Sequence, residues 1–133
     1  MKPTRVASFF AGAGGLDLGF KQAGFDIVYA SDIESDCCET LSLNRGSSTS
    51  DDSDIHCGDI RTIDFDTLPD NIDLVVGGPP CQSFSASGRR AGGAAGRLDD
   101  RGNLFEAYRD IIRHLQPKAF VFENVRGILA TNK

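Results

Sequence analysis

The sequence predicts an α/β fold, Rossmann-like, built on a mostly parallel sheet. Short apolar runs alternate with amphipathic stretches along the chain, the pattern of strands joined by crossover helices. Two of these runs end in glycine or proline clusters, Gly12-Ala13-Gly14-Gly15 and Gly77-Gly78-Pro79-Pro80, at the strand ends where open α/β sheets hold ligands. At 133 residues, 40% hydrophobic and 25% charged, the chain is a single domain with one core.

In order, Thr4 to Phe10 reads as a buried strand entering the first glycine cluster. A helix follows with Leu16, Phe20 and Ala23 on one face and Gly24 as its stop. Asp26 to Ala30 is a second strand and Ser35 to Asn44 a second helix. Gly46 to Asp54, rich in Ser and Asp, is a solvated loop, and Ile55-His56-Cys57 a short third strand. Ile72 to Val76 is a fourth strand, and Ser83 to Gly102 a long loop of the kind that carries function. Asn103 to Leu115 is a helix ended by Pro117, Ala119 to Phe122 a fifth strand, and Gly127 begins a further helix. With strand order 3-2-1-4-5, the apolar fifth strand would lie at an open edge.

Net charge is -5, but its distribution is uneven. Residues 1–80 carry 5 basic and 14 acidic side chains, and residues 81–133 carry 9 and 5. A polyanion would therefore meet the second part. The four cysteines form neither a disulfide framework nor a metal-ligand spacing, so no metal is expected. Cys37, Cys38 and Cys57 read as small residues in or near the core. With no apolar leader and no run long enough to span a membrane, the expected location is cytoplasmic.

Three constellations carry chemistry. Glycines at the first strand end let backbone amides face a ligand, but Asp17 stands where a dinucleotide fingerprint needs a third glycine. Asp32, twenty residues after Gly12, is placed for the hydroxyls of a ribose. Asp59 could accept from an adenine amino group, with Ile33 and Ile60 over the ring faces. This set describes an acid-rimmed pocket for an adenosine without phosphates. At the fourth strand end, two prolines mount Cys81 rigidly, and Arg89, Arg90, Arg97 and Arg101 would favour its thiolate. Glu123 leaves an apolar strand beside that one, so it must be paired or partly protonated, suiting it to a ring nitrogen.

Phe10-Ala11-Gly12-Ala13-Gly14-Gly15, then Gly78-Pro79-Pro80-Cys81-Gln82-Ser83-Phe84-Ser85, then Glu123-Asn124-Val125 resemble the cofactor, nucleophile and acid motifs of C5-cytosine DNA methyltransferases. Gly58-Asp59-Ile60 and Asp100-Arg101-Gly102-Asn103-Leu104-Phe105 fit the same family. The resemblance implies an S-adenosylmethionine-dependent methyltransferase fold, incomplete at the C-terminus, serving DNA methylation in a restriction-modification system. It implies Cys81, Glu123 and Asn124 as the catalytic set. Phe10, Gly12, Gly14, Gly15, Leu16, Asp32, Ile33, Asp59, Ile60, Pro80 and Leu104 would bind S-adenosyl-L-methionine. Ser83, Ser85, Ser87, Arg89, Arg90, Arg97 and Arg101 would form a loop against duplex DNA.

The family continues with a Gln-x-Arg-x-Arg strand, a target-recognition region and a final motif. The sequence is therefore expected to be the N-terminal part of the catalytic domain, either the first subunit of a split enzyme completed by a second polypeptide or the remnant of an interrupted gene. Two rivals share parts of the pattern: a tRNA-directed relative, and a non-catalytic module that binds cofactor or partner. A nicotinamide-binding fold is disfavoured by Asp17.

Overall fold

In the computed structural model, residues 1–44, 54–80 and 101–126 are described. They form β1 (Arg5–Phe9), α1 (Gly15–Gln22), β2 (Asp26–Asp32), α2 (Ser35–Leu43), β3 (Asp54–Cys57), two single 3₁₀ turns (Ile60–Thr62 and Phe65–Thr67), β4 (Leu74–Gly77), α3 (Arg101–Leu115) and β5 (Ala119–Phe122). The sheet is parallel throughout, in the order β3-β2-β1-β4-β5. The expected Gly127 helix, most of the Gly46–Asp54 loop and most of the Ser83–Gly102 loop lie outside the described residues.

β1 is central, and its residues alternate between two buried faces. Ala7 and Phe9 join Tyr29, Val75, Tyr108 and Ile111 in the larger core, under α3 and the 3₁₀ turns. Val6 joins Ile27, Leu74 and Val76 in a smaller cluster covered by Phe20 and Phe25. The aromatic residues of the larger core are linked: Phe9 lies 5.5 Å from Tyr29 and 6.2 Å from Tyr108 between ring centroids. The 3₁₀ turns carry no 3.6-residue pattern, which is why periodicity alone gives no sign of them.

Asp73 gathers the amino ends of three strands. Its carboxylate accepts the Arg5 amide at 3.0 Å and pairs with Lys118 Nζ at 2.6 Å. Its own amide donates to the Arg5 carbonyl, and its carbonyl accepts the Lys118 amide at 2.9 Å. Lys118 and the Arg5 amide hold this carboxyl below its ordinary value.

Several expectations change. Leu16 is 41% exposed, and the buried residue of α1 is Asp17, at 4%. The expected Leu16-Phe20-Ala23 face therefore does not form: only Phe20 of the three packs on the core, while Ala23 is exposed. The Ser8 hydroxyl donates to Asp17 Oδ1, so a local polar partner outweighs the helical pattern. Cys38 is buried, but Cys57 is exposed and Cys37 only half-buried; β3 is an edge strand and cannot cover its own end. β5 lies on the opposite edge, with Phe120 58% exposed.

Candidate functional site

Apart from Arg101 and Leu104 on α3, the candidate residues that the structure describes derive from the carboxyl ends of the strands or the segments just after them. The chain leaves β1 through Phe10, whose φ of 53° is unusual for a bulky residue. Two bonds hold this bend against the end of β2. The Ala11 amide donates to the Ser31 carbonyl at 3.0 Å, and the Gly12 amide donates to Asp32 Oδ2 at 2.8 Å. Asp32 Oδ1 accepts the Glu34 amide at 3.0 Å. The carboxylate is thus oriented by the glycine loop it was expected to share a ligand with.

Gly14 caps α1 at a φ of 88°, and an added Cβ there would fall 2.8 Å from Leu41 Cδ2. Only glycine meets both demands. Behind this loop lies a cavity of about 320 Å³ between α1, α2 and the sheet, lined by Gly14, Gly15, Asp17, Leu41 and Ile55 among others. Its walls are helix flanks and strand faces, so it is an interlayer space and not the strand-end pocket expected of a nucleoside. Burial raises the Asp17 carboxyl above its ordinary value.

Past β3, Asp59 caps the first 3₁₀ turn, with Oδ1 accepting the Arg61 amide at 2.9 Å. Both oxygens also pair with the Arg61 guanidinium, which holds the carboxyl below its ordinary value. Ile33 is 61% exposed and free to cover an aromatic ring, whereas Ile60 is 7% exposed and belongs to the core. Ile60 thus anchors the turn from beneath. Leu104 of α3 also packs on the core.

The ends of β4 and β5 meet where the nucleophile and acid motifs were read. Asn124 Nδ2 donates to the Pro79 carbonyl at 3.4 Å, while its Oδ1 accepts the Val125 amide at 2.7 Å. The Glu123 amide donates to the Gly77 carbonyl at 2.9 Å. Glu123 is exposed, because β5 is an edge strand. Pro79 is buried and Pro80 exposed. Cys81, Ser83, Ser85, Ser87, Arg89, Arg90 and Arg97 lie outside the described residues, and Arg101 opens α3.

Sequence reasoning missed Tyr108. Its buried hydroxyl donates to the Val121 carbonyl at 2.9 Å, and its ring lies 6.2 Å from both Phe10 and Phe122. It therefore touches the elements bearing the cofactor and acid motifs. A tyrosine at a core position of an amphipathic helix was the available signal, since a buried hydroxyl requires a partner. Among the described residues, no group of three or more His, Cys, Asp or Glu could hold a metal. No helix among them is long and apolar enough to cross a membrane.

A parallel sheet ordered 3-2-1-4-5, with the glycine loop, Asp32 and the Pro79-Pro80 segment at its carboxyl ends, is the architecture of Rossmann-like methyltransferases. The sequence profile of C-5 cytosine-specific DNA methylases matches residues 4–133, and the chain belongs to that family. It is 41% identical to the Type II methyltransferase M.AquIA of Picosynechococcus, over 97% of this chain and 51% of that protein. It is 42% identical to M.NgoPII of Neisseria gonorrhoeae, over 96% of this chain and 35% of that one. The chain thus spans about a third to a half of these relatives.

Among solved structures, an Escherichia coli prophage-encoded protein assigned as a DNA modification methyltransferase aligns with a TM-score of 0.69 at 31% identity. That alignment covers 94% of this chain and 33% of the other. An S-adenosylmethionine-dependent methyltransferase of Clostridium acetobutylicum shares the fold, at a TM-score of 0.58 and 15% identity, over 89% and 41% of the two chains.

Proposed function

We propose that this chain supplies the nucleophile, the acid and part of the cofactor pocket of a DNA (cytosine-5-)-methyltransferase of a restriction-modification system. The observation that carries this reading is the Asn124–Pro79 hydrogen bond. It ties the strand end bearing Glu123 to the loop entering Cys81, two groups that this chemistry needs on one base.

The target cytosine is turned out of the duplex. The Cys81 thiolate adds to C6, forming a carbon–sulfur bond, while Glu123 holds a proton at N3 so that electron density collects at C5. C5 gains a methyl group and then loses its proton; the electron pair re-forms the ring double bond, and Cys81 leaves as thiolate. Asn124 keeps acid and nucleophile in register. Arg89, Arg90, Arg97 and Arg101, with Ser83, Ser85 and Ser87, are assigned to the DNA-facing loop.

S-adenosyl-L-methionine supplies the electrophilic methyl group when bound. Asp32 fits its ribose, since each oriented oxygen keeps a further lone pair, and Phe10, Gly12, Gly14, Gly15 and Leu16 form the loop beside it. Ile33 is open to the adenine, and Pro80 and Leu104 flank the site. Asp59 fits less directly, because an adenine amino group must share it with Arg61. The rim of acids suits a cationic ligand and disfavours a pyrophosphate.

A second polypeptide is proposed to provide target recognition and the remainder of the base pocket. The exposed apolar edge at β5 and the greater length of the relatives support this. The test incubates the purified chain with duplex DNA containing 5-fluorocytosine and S-adenosylmethionine, with and without the polypeptide encoded immediately downstream. A covalent adduct only in the combined sample, lost in Cys81→Ser, is the expected result. Sequence-specific transfer by the chain alone overturns the need for a partner. Transfer to tRNA in place of DNA, or no adduct in either sample, overturns the assigned reaction.

A further inference from the structure

The positions of Gly78 and Glu123 point to a role beyond the acid itself. A Cβ built on Gly78 would fall 2.8 Å from Glu123 Oε2 and 3.6 Å from Glu123 Cβ and its carbonyl oxygen. Real Cβ atoms do not approach an oxygen this closely, so a larger residue at Gly78 would turn the exposed Glu123 carboxylate out of this position. On the neighbouring residue, a Cβ at Gly77 would meet the Tyr108 ring at 2.7 Å. The two glycines thus admit a ring and a carboxylate, one each.

We propose that Gly78 is a positioning residue whose missing side chain is the seat of the Glu123 carboxylate. Because Gly78 stands three residues before Cys81, the seat places the acid against the chain that delivers the nucleophile. Glu123 is exposed and the β5 edge leaves it open to water on the far side. Without the seat, its rotamers would be unrestrained. Backbone bonds fix the strand end, through the Glu123 amide to Gly77 and Asn124 to Pro79; the seat fixes the side chain. The inference rests on the reading of Glu123 as the reaction's acid, but its first test does not.

That test is a double-substitution cycle in urea unfolding of the purified 133-residue chain. Gly78→Ala is expected to lower the folding constant only about twofold, because the exposed Glu123 carboxylate can turn aside. Adding Glu123→Ala should restore most of the loss, while Glu123→Gln, equal in size, should not. Additive effects, or a Gly78→Ala chain that stays unfolded when Glu123→Ala is added, place the clash elsewhere and overturn the seat.

A second readout is the side-chain carboxyl carbon resonance of Glu123 at one fixed pH, compared with those of Glu34, Glu39 and Glu106, the other glutamates of the chain. Gly78→Ala should move the Glu123 resonance and leave the other three in place; an unmoved Glu123 resonance overturns the proposal. In the 5-fluorocytosine assay with the downstream polypeptide, Gly78→Ala should slow adduct formation at least about tenfold at saturating DNA. Cofactor affinity should stay unchanged. An unaltered rate overturns the positioning role, whereas no adduct from the unsubstituted chain overturns the functional reading and leaves the unfolding cycle to judge the seat.

Discussion

Asp32 accepts the Gly12 amide at 2.8 Å, across twenty residues of sequence and from one strand end to the next. The bond makes the ribose-type acid and the glycine loop a single unit. Asp32→Ala removes the proposed ribose contact and the loop's anchor together. Cofactor affinity, measured by calorimetry on the folded chain, should fall by about tenfold to a hundredfold, the usual range for a hydrogen bond to a charged group. Asp32→Asn should retain the loop's anchor through its amide oxygen and lose less. Equal affinity in all three chains would remove Asp32 from the pocket.

Tyr108 is expected to matter for stability through two separable parts. Tyr108→Phe keeps the ring and leaves the Val121 carbonyl without the hydroxyl, costing about 1 kcal/mol. Tyr108→Ala also empties the space between Phe9, Phe10 and Phe122 and should cost roughly 3–5 kcal/mol. Denaturant midpoints of the two variants test the split.

The buried Asp17 should give a pH signature. Its folded carboxyl titrates above the ordinary 3.8 because burial disfavours the charge. The unfolded chain therefore releases this proton first, and folding stability falls as pH rises through the window above 3.8. Relative to Asp17→Asn, the unsubstituted chain should be progressively less favoured from acid toward neutral pH and level off below 3.8. A difference independent of pH would refute the buried-acid account.

Asp73 should act in the opposite sense. Lys118 and the Arg5 amide hold its carboxyl low, so the stability it contributes is present above 3.8 and fades as pH falls through its folded value. Asp73→Asn should therefore be destabilising at neutral pH and nearly neutral in strong acid. Paired acid-unfolding curves measure this.

The free edge at β5 is a pairing hazard. Phe120 and Val121 are exposed there. Phe120→Lys should leave the fold intact and reduce self-association, checked by light scattering over a concentration series. Unchanged scattering would absolve the edge.

Much of this was legible before any coordinates. The alternation of apolar runs led to the five strands and the three described helices because parallel strands and their crossovers have strong periods. Asp32, Asn124 and the glycine loop could be placed because each follows directly from a strand end. The core packing of Ile60 was less legible, because a 3₁₀ turn turns its apolar residue inward without a repeating pattern. Asp17 misled for a related reason: helical periodicity assigns faces by hydrophobicity and does not register a serine on the adjacent strand. The exposure of Glu123 follows from the place of the fifth strand at the open edge, which the expected order 3-2-1-4-5 already implied. Tyr108 was not singled out, because its contacts with β1, β4 and β5 are set by how the helix packs on the sheet and not by its own segment.

The Asp73 knot has a consequence for how this molecule tolerates change. The amino ends of β1, β4 and β5 are held there by backbone and ionic bonds, while the proposed chemistry occupies the opposite rim. Residues that decide whether the chain folds are thus largely separate from those that decide what it does. Altering the rim, at Ile33 or Arg61 for instance, should retune the site without loosening the sheet, and stabilising the lower end should strengthen the chain without touching the reaction.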